Sequence, residues 1–163
     1  MTEHRARTRA EAFPRLAQLA ADRGMTLTVD LFDGQGRHAI TRARVLESFG
    51  SPACLALVEC RLETGRTHQI RVHMAHLGHG VVGDPVYGRP LRSGQMPDAP
   101  ARDCLAEMRR FPRQALHAAS LGLAHPVTGA PLEFTSDIPP DMTGLVTTIE
   151  DGIRSRATAR SPR

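Results

Sequence analysis

Between Met25 and Phe32 the chain alternates, with Leu27, Val29 and Leu31 on one side and Thr26, Thr28 and Asp30 on the other. This predicts a half-buried strand, closed by the turn residues Asp33-Gly34-Gln35-Gly36. Before it, Phe13, Leu16, Ala17, Leu19 and Ala20 follow helical spacing and predict a helix over Ala10–Arg23, stopped by Gly24. Residues 1–9 carry His4, Arg5, Arg7 and Arg9 with almost nothing apolar, and read as a solvated end. Ala39–Glu47 and Ala53–Glu63 predict a hairpin joined through Ser48-Phe49-Gly50-Ser51-Pro52. The second strand presents Cys54, Ala56, Val58, Cys60 and Leu62 on one face, while its other face passes from Leu55 and Leu57 to Glu59, Arg61 and Glu63. A strand whose far end turns polar is leaving the core for a wet place such as a cleft.

A helix is predicted from His68 to Leu77, with Thr67 as its cap, Ile70, Met74 and Leu77 as its apolar stripe and Gly78 as its exit. Gly83-Asp84-Pro85 then turns the chain towards Tyr87. Arg89–Pro100, rich in proline and glycine, reads as a surface loop, and a short helix follows through Cys104, Leu105 and Met108. Ala115–Ala124 and Pro131–Thr135 predict a second hairpin turned by His125-Pro126-Val127-Thr128-Gly129, and Asp141–Ile149 a closing helix. Residues 151–163, with Arg154, Arg156, Arg160 and Arg163, read as a disordered basic tail.

Composition narrows the picture modestly. A length of 163 residues suits one domain. With 4% aromatic residues and no Trp, aliphatic side chains must fill the core. The net charge is +4, and all 21 basic residues are arginine, which binds phosphate in a bidentate manner and so favours a polyanionic partner such as nucleic acid. Cys54, Cys60 and Cys104 form no C-x-x-C pair, and an odd number argues against a disulfide framework, so a reducing compartment is expected. With no membrane-spanning apolar run and no secretory leader, a cytoplasmic location is expected.

The chemistry concentrates between Leu62 and Gly88. His73, His76 and His79 invite a metal reading, but no cysteine is near them in sequence. Gly78 should end the helix before His79, and His68 points about 140° away from His73. Packing or surface histidines fit better, and no metal is expected. Cys54 and Cys60 on an apolar strand face are expected to be inert. Arg66 in the turn and Arg71 one turn into the helix can both face a cleft, to pair with phosphate or hold a carboxylate ionised. A solvated helix face explains either arginine equally well on spacing alone.

The segments Leu62-Glu63-Thr64-Gly65-Arg66-Thr67-His68-Gln69-Ile70-Arg71-Val72-His73, His76-Leu77-Gly78-His79 and Gly83-Asp84-Pro85-Val86-Tyr87-Gly88 closely resemble the signature of the RluA-type RNA pseudouridine synthases. Leu116-His117, His125–Gly129 and Pro131–Phe134 resemble the family's next block, and Gly36–Thr41 with Arg44-Val45-Leu46 its lead-in. The resemblance spans residues 36–150 and leaves residues 1–35 unassigned. It implies the C-terminal half of the catalytic domain: an α+β fold with a mixed, mainly antiparallel sheet and flanking helices.

The activity implied is isomerisation of uridine to pseudouridine in structured RNA, rRNA or tRNA, without cofactor or metal. The base is flipped out, its glycosidic bond is broken and it is rejoined through carbon. In the family the arginine matching Arg71 pairs with the catalytic aspartate, and the position of Ile70 lines the pocket. Arg66, His68 and Gln69 are the further substrate-binding candidates of the signature. The family's His-Arg-Leu-Asp segment and its base-stacking tyrosine do not occur in this sequence, and position 80 is Gly where the family usually has Pro. The expectation is a truncated member, silent alone. It would act as a non-catalytic RNA-binding module or as a half-enzyme needing a separate N-terminal half, with an exposed sheet edge prone to self-association.

Overall fold

In the computed structural model, residues 3–6, 26–32, 38–49, 55–88, 106 and 108–157 are described. Strands β1 (Glu3–Ala6), β2 (Thr26–Phe32), β3 (His38–Phe49) and β4 (Leu55–Leu62) form one sheet in that order. β1 runs parallel to β2, and the other neighbours are antiparallel. Helix α1 (Gln69–His76) follows, then a separate two-stranded antiparallel sheet of β5 (Ser120–Ala124) and β6 (Pro131–Thr135), and helix α2 (Pro140–Ala157). The fold is α+β with a mixed, mainly antiparallel sheet and flanking helices.

Helix α1 lies on the sheet through the stripe read from its sequence. Met74 and Leu77 pack with Val29, Ala43 and Val45, and half-buried Ile70, Leu31, Val58, Cys60 and Val81 close around them. Each large aliphatic side chain so buried contributes about 1.5–3 kcal/mol. Strand β3 carries its inward row at Thr41, Ala43 and Val45, and then the register with β4 shifts between Val45 and Glu47. That bulge turns the outgoing half of β3 over. Val45 pairs with Val58, whereas Phe49 pairs with Leu55. Phe49, Leu55 and Leu57 therefore join a second cluster with Met108, Ile149, Leu145 and Val146, which fastens α2 to the sheet.

Several expectations need correction. Glu3–Ala6 is a strand paired with β2, where a solvated end was expected. Main-chain pairing does not need the apolar side chains that the segment lacks. Of the apolar face expected on β4, only Val58 and Cys60 reach the first core, and Ala56 and Leu62 are exposed. An eight-residue helix is about 12 Å long and cannot cover a strand of about 26 Å. The closing helix runs to Ala157, through seven residues read as tail. Ile153 four places after Ile149, and Arg154 four after Glu150, continue a helical pattern in the sequence. The helix expected over Ala10–Arg23, the loop Arg89–Pro100, Cys54, Cys104 and residues 158–163 lie outside the described residues.

Candidate active site

The sequence between β4 and Gly88 folds into a short helix followed by a tight turn, and these two pieces face each other through one ion pair. Arg71, on the first turn of α1, donates from Nε to Asp84 Oδ2 at 2.7 Å and from Nη2 to Asp84 Oδ1 at 2.8 Å. The Asp84 side chain is fully buried and that of Arg71 is 9% exposed. Asp84 Oδ1 also accepts the backbone N–H groups of Val86 at 2.9 Å and Tyr87 at 3.1 Å. These bonds, those from Arg71 foremost, hold the Asp84 carboxyl well below the usual carboxylate range despite its burial. The Tyr87 ring lies 5.0 Å from the Arg71 guanidinium carbon, a cation–π distance. Nη1 of Arg71 makes no hydrogen bond among the described residues.

The turn that carries Asp84 is held independently of the helix. Gly83 has φ +71°, and a Cβ there would stand 2.0 Å from the Arg113 carbonyl oxygen. A Cβ at Gly88 would stand 2.2 Å from the Asp84 carbonyl oxygen, which accepts the Gly88 N–H at 3.1 Å. Ala115 N–H donates to the Val82 carbonyl at 2.8 Å, tying the turn to the segment leading to β5. Only glycine meets both the backbone angle and the close approach at position 83.

The signature's other residues divide into two groups. Gln69, a substrate-binding candidate, is buried and faces inward. Its Nε2 donates to the Ile40 carbonyl at 2.9 Å and to Thr41 Oγ1 at 3.1 Å, and its Oε1 accepts Thr64 Oγ1 at 2.8 Å and the Arg66 N–H at 3.0 Å. With every capacity of the amide used, Gln69 locks the turn to β3 and has nothing left for substrate. Ile70 likewise packs on the first core rather than standing free. Arg66 and His68 are exposed. His68 takes the N-cap position in a left-handed conformation, φ 57°, with no side-chain cap, so the capping expected of Thr67 is not made. The His68 ring meets Tyr87 edge-on at 5.7 Å, with Nδ1 3.4 Å from the phenolic oxygen.

The carboxylate that Arg71 holds in this chain is Asp84, thirteen residues on and within the same signature. Neither Asp84 nor Tyr87 was among the sequence candidates. The signal was present in Gly83-Asp84-Pro85-Val86-Tyr87-Gly88, where an Asp–Pro turn between two glycines aims one carboxylate at a nearby helix. His73 is buried within α1, and burial, then the neighbouring His76, lower its pKa while Asp30 opposes. His73 Nδ1 and His76 Nε2 have no hydrogen-bond partner among the described residues, and no three His, Cys, Asp or Glu side chains there converge as metal ligands. Burial, then Glu59, pushes the Cys60 thiol up to about 11, so it is a packing residue. No described helix is long and apolar enough to cross a membrane.

A family model described as RNA pseudouridylate synthase matches residues 3–76, beginning within the segment that the sequence motifs left unassigned. A Xanthomonas campestris protein named ribosomal large subunit pseudouridine synthase D is 47% identical over 126 residues, 77% of this chain and 36% of the relative. An Escherichia coli protein of the same name is 48% identical over 111 residues, 68% of this chain and 32% of the relative. The chain thus spans about a third of the length of the curated relatives it matches. The solved structure of human RNA pseudouridylate synthase domain containing 1 aligns with TM-score 0.47 and 26% identity, over 81% of this chain and 52% of that one.

Proposed function

Since this chain belongs to the RluA-type family of RNA pseudouridine synthases, we propose that it forms the arginine-bearing side of a pocket that isomerises uridine to pseudouridine in structured RNA. Ribosomal RNA is the proposed substrate class, after the names of the relatives. The observation that carries this reading is the Arg71 guanidinium, fixed along its Nε–Nη2 edge and left with Nη1 unused among the described residues. A guanidinium held in this way can orient a second carboxylate and keep it ionised, as the nucleophile of such a reaction requires. That carboxylate would drive cleavage of the C1′–N1 bond, the base would turn so that C5 bonds to C1′ as the carboxylate is released, and the C5 hydrogen would leave as a proton to restore the uracil ring. Arg66, which is exposed, would meet a phosphate beside the flipped nucleotide.

The 163 residues contain no His-Arg-Leu-Asp segment. The proposal is therefore that turnover requires this segment from a further stretch of polypeptide, while RNA binding does not. Two measurements on the chain as it stands test this. Gel-shift affinity for a structured rRNA fragment should fall steeply with salt, as phosphate contacts require, and Arg66→Ala should weaken it for all sequences alike. Tritium release from RNA labelled at uridine C5 should be absent. Salt-insensitive or undetectable RNA binding would contradict the first expectation, and release by the chain alone would contradict the second.

A further inference from the structure

The Arg71–Asp84 pair is asymmetric. Asp84 is set by backbone: its own turn is anchored at Gly83 against Arg113, and two main-chain N–H groups reach its Oδ1. Arg71 is set by Asp84, because among the described residues its side-chain hydrogen bonds run to that carboxylate alone. Two parallel bonds fix a planar guanidinium in direction as well as in place, which a single bond or a point charge does not. Tyr87, whose N–H also binds Asp84, lies against the same guanidinium and limits its tilt.

We propose that Asp84 is a positioning residue of the isomerisation, fixing the Arg71 guanidinium so that Nη1 is presented to the acidic group of the reaction. The inference rests on the function proposed above. A buried carboxylate also offsets the charge of Arg71, so Nη1 is a directional donor rather than a free cation. Such a donor suits a carboxylate delivered by protein at a fixed place more than a phosphate of mobile RNA. Phosphate contact falls instead to Arg66, whose side chain is exposed and has no hydrogen bond among the described residues. Asp84 and Arg66 thereby separate two tasks that the signature's two arginines leave mixed when read by spacing.

The test is side-chain NMR of ¹⁵N-arginine-labelled full chain, with sodium acetate as the carboxylate probe. In the unaltered chain the Arg71 Hε resonance should be protected from exchange, and acetate should shift the Arg71 Nη1 signals. Asp84→Asn keeps an oxygen for the Val86 and Tyr87 amides but loses the charge. Both the protected resonance and the acetate shift should vanish while the backbone amide spectrum stays folded. Asp84→Glu keeps the ion pair but moves it by a methylene, so Hε should remain protected while the acetate shift is lost. It carries the test alone if Asp84→Asn does not fold. An acetate shift equal to that of the unaltered chain in either variant would overturn the proposal, since a merely structural carboxylate predicts that result. Failure of the functional reading is distinct: there, acetate would still depend on Asp84, but tritium release from a completed pocket would not depend on Arg71.

Discussion

At the scale of single residues, titration behaviour separates side chains that hold the structure from those placed to meet a ligand. His73 is buried with a lowered pKa, so the folded chain binds a proton there less readily than the unfolded chain does. The sign follows from linkage. Stability from a neutral buried His73 is present above the unfolded value of about 6.5 and declines as pH falls below it. The urea midpoint should therefore drop between about pH 8 and pH 5.5 in the unaltered chain and drop less in His73→Leu. Identical pH dependence in the two would show that His73 does not titrate in this window. Asp84 acts in a lower window: its carboxyl is held down by Arg71, so its contribution is full above about pH 4 and is lost only on further acidification. Cys60, its thiol pushed up to about 11, should resist alkylation in the folded chain and react on unfolding.

At the scale of elements, α1 is the piece on which site and core meet. One face carries Met74 and Leu77 into the core, and Arg71, three residues before Met74, reaches Asp84. Leu77→Ala should cost about 2–5 kcal/mol of unfolding free energy, measured by denaturant titration. A loss well under 1 kcal/mol would mean that the helix is not anchored as described. This stripe was legible from spacing, as were the Gly78 exit, with φ 87°, and the His125–Gly129 turn between β5 and β6. What could not be read locally were the features that depend on a partner element. Gln69 looks like a substrate ligand until β3 supplies the Ile40 carbonyl and Thr41 hydroxyl that consume its amide. Phe49 looks like a turn residue until the bulge after Val45 aims it at α2. Asp84 looks like turn chemistry alone until the helix brings Arg71 opposite it.

At the scale of the molecule, the two sheets differ in how their faces are covered. The four-stranded sheet is packed by α1 on one side and by α2 over part of the other. The β5–β6 hairpin pairs Leu121 with Phe134 and Leu123 with Leu132, which puts all four on one face. Leu121, Leu123 and Phe134 remain 57%, 42% and 54% exposed, an apolar patch of the kind that proteins usually cover. The double variant Leu121→Ser with Phe134→Ser should bind less of a hydrophobic dye than the unaltered chain, at an unchanged melting temperature. Equal dye binding would place the apolar surface elsewhere.

The central claim joins these scales: a backbone-anchored Asp84 aims Arg71, and Arg71 serves a nucleophilic carboxylate in uridine isomerisation. The most direct measurement is tritium release from C5-labelled uridine in rRNA, by this chain combined with a polypeptide supplying the His-Arg-Leu-Asp segment. Release is predicted only from the combination, and only while Arg71 is intact. Release that persists in Arg71→Ala, or that the chain produces unaided, would contradict the account.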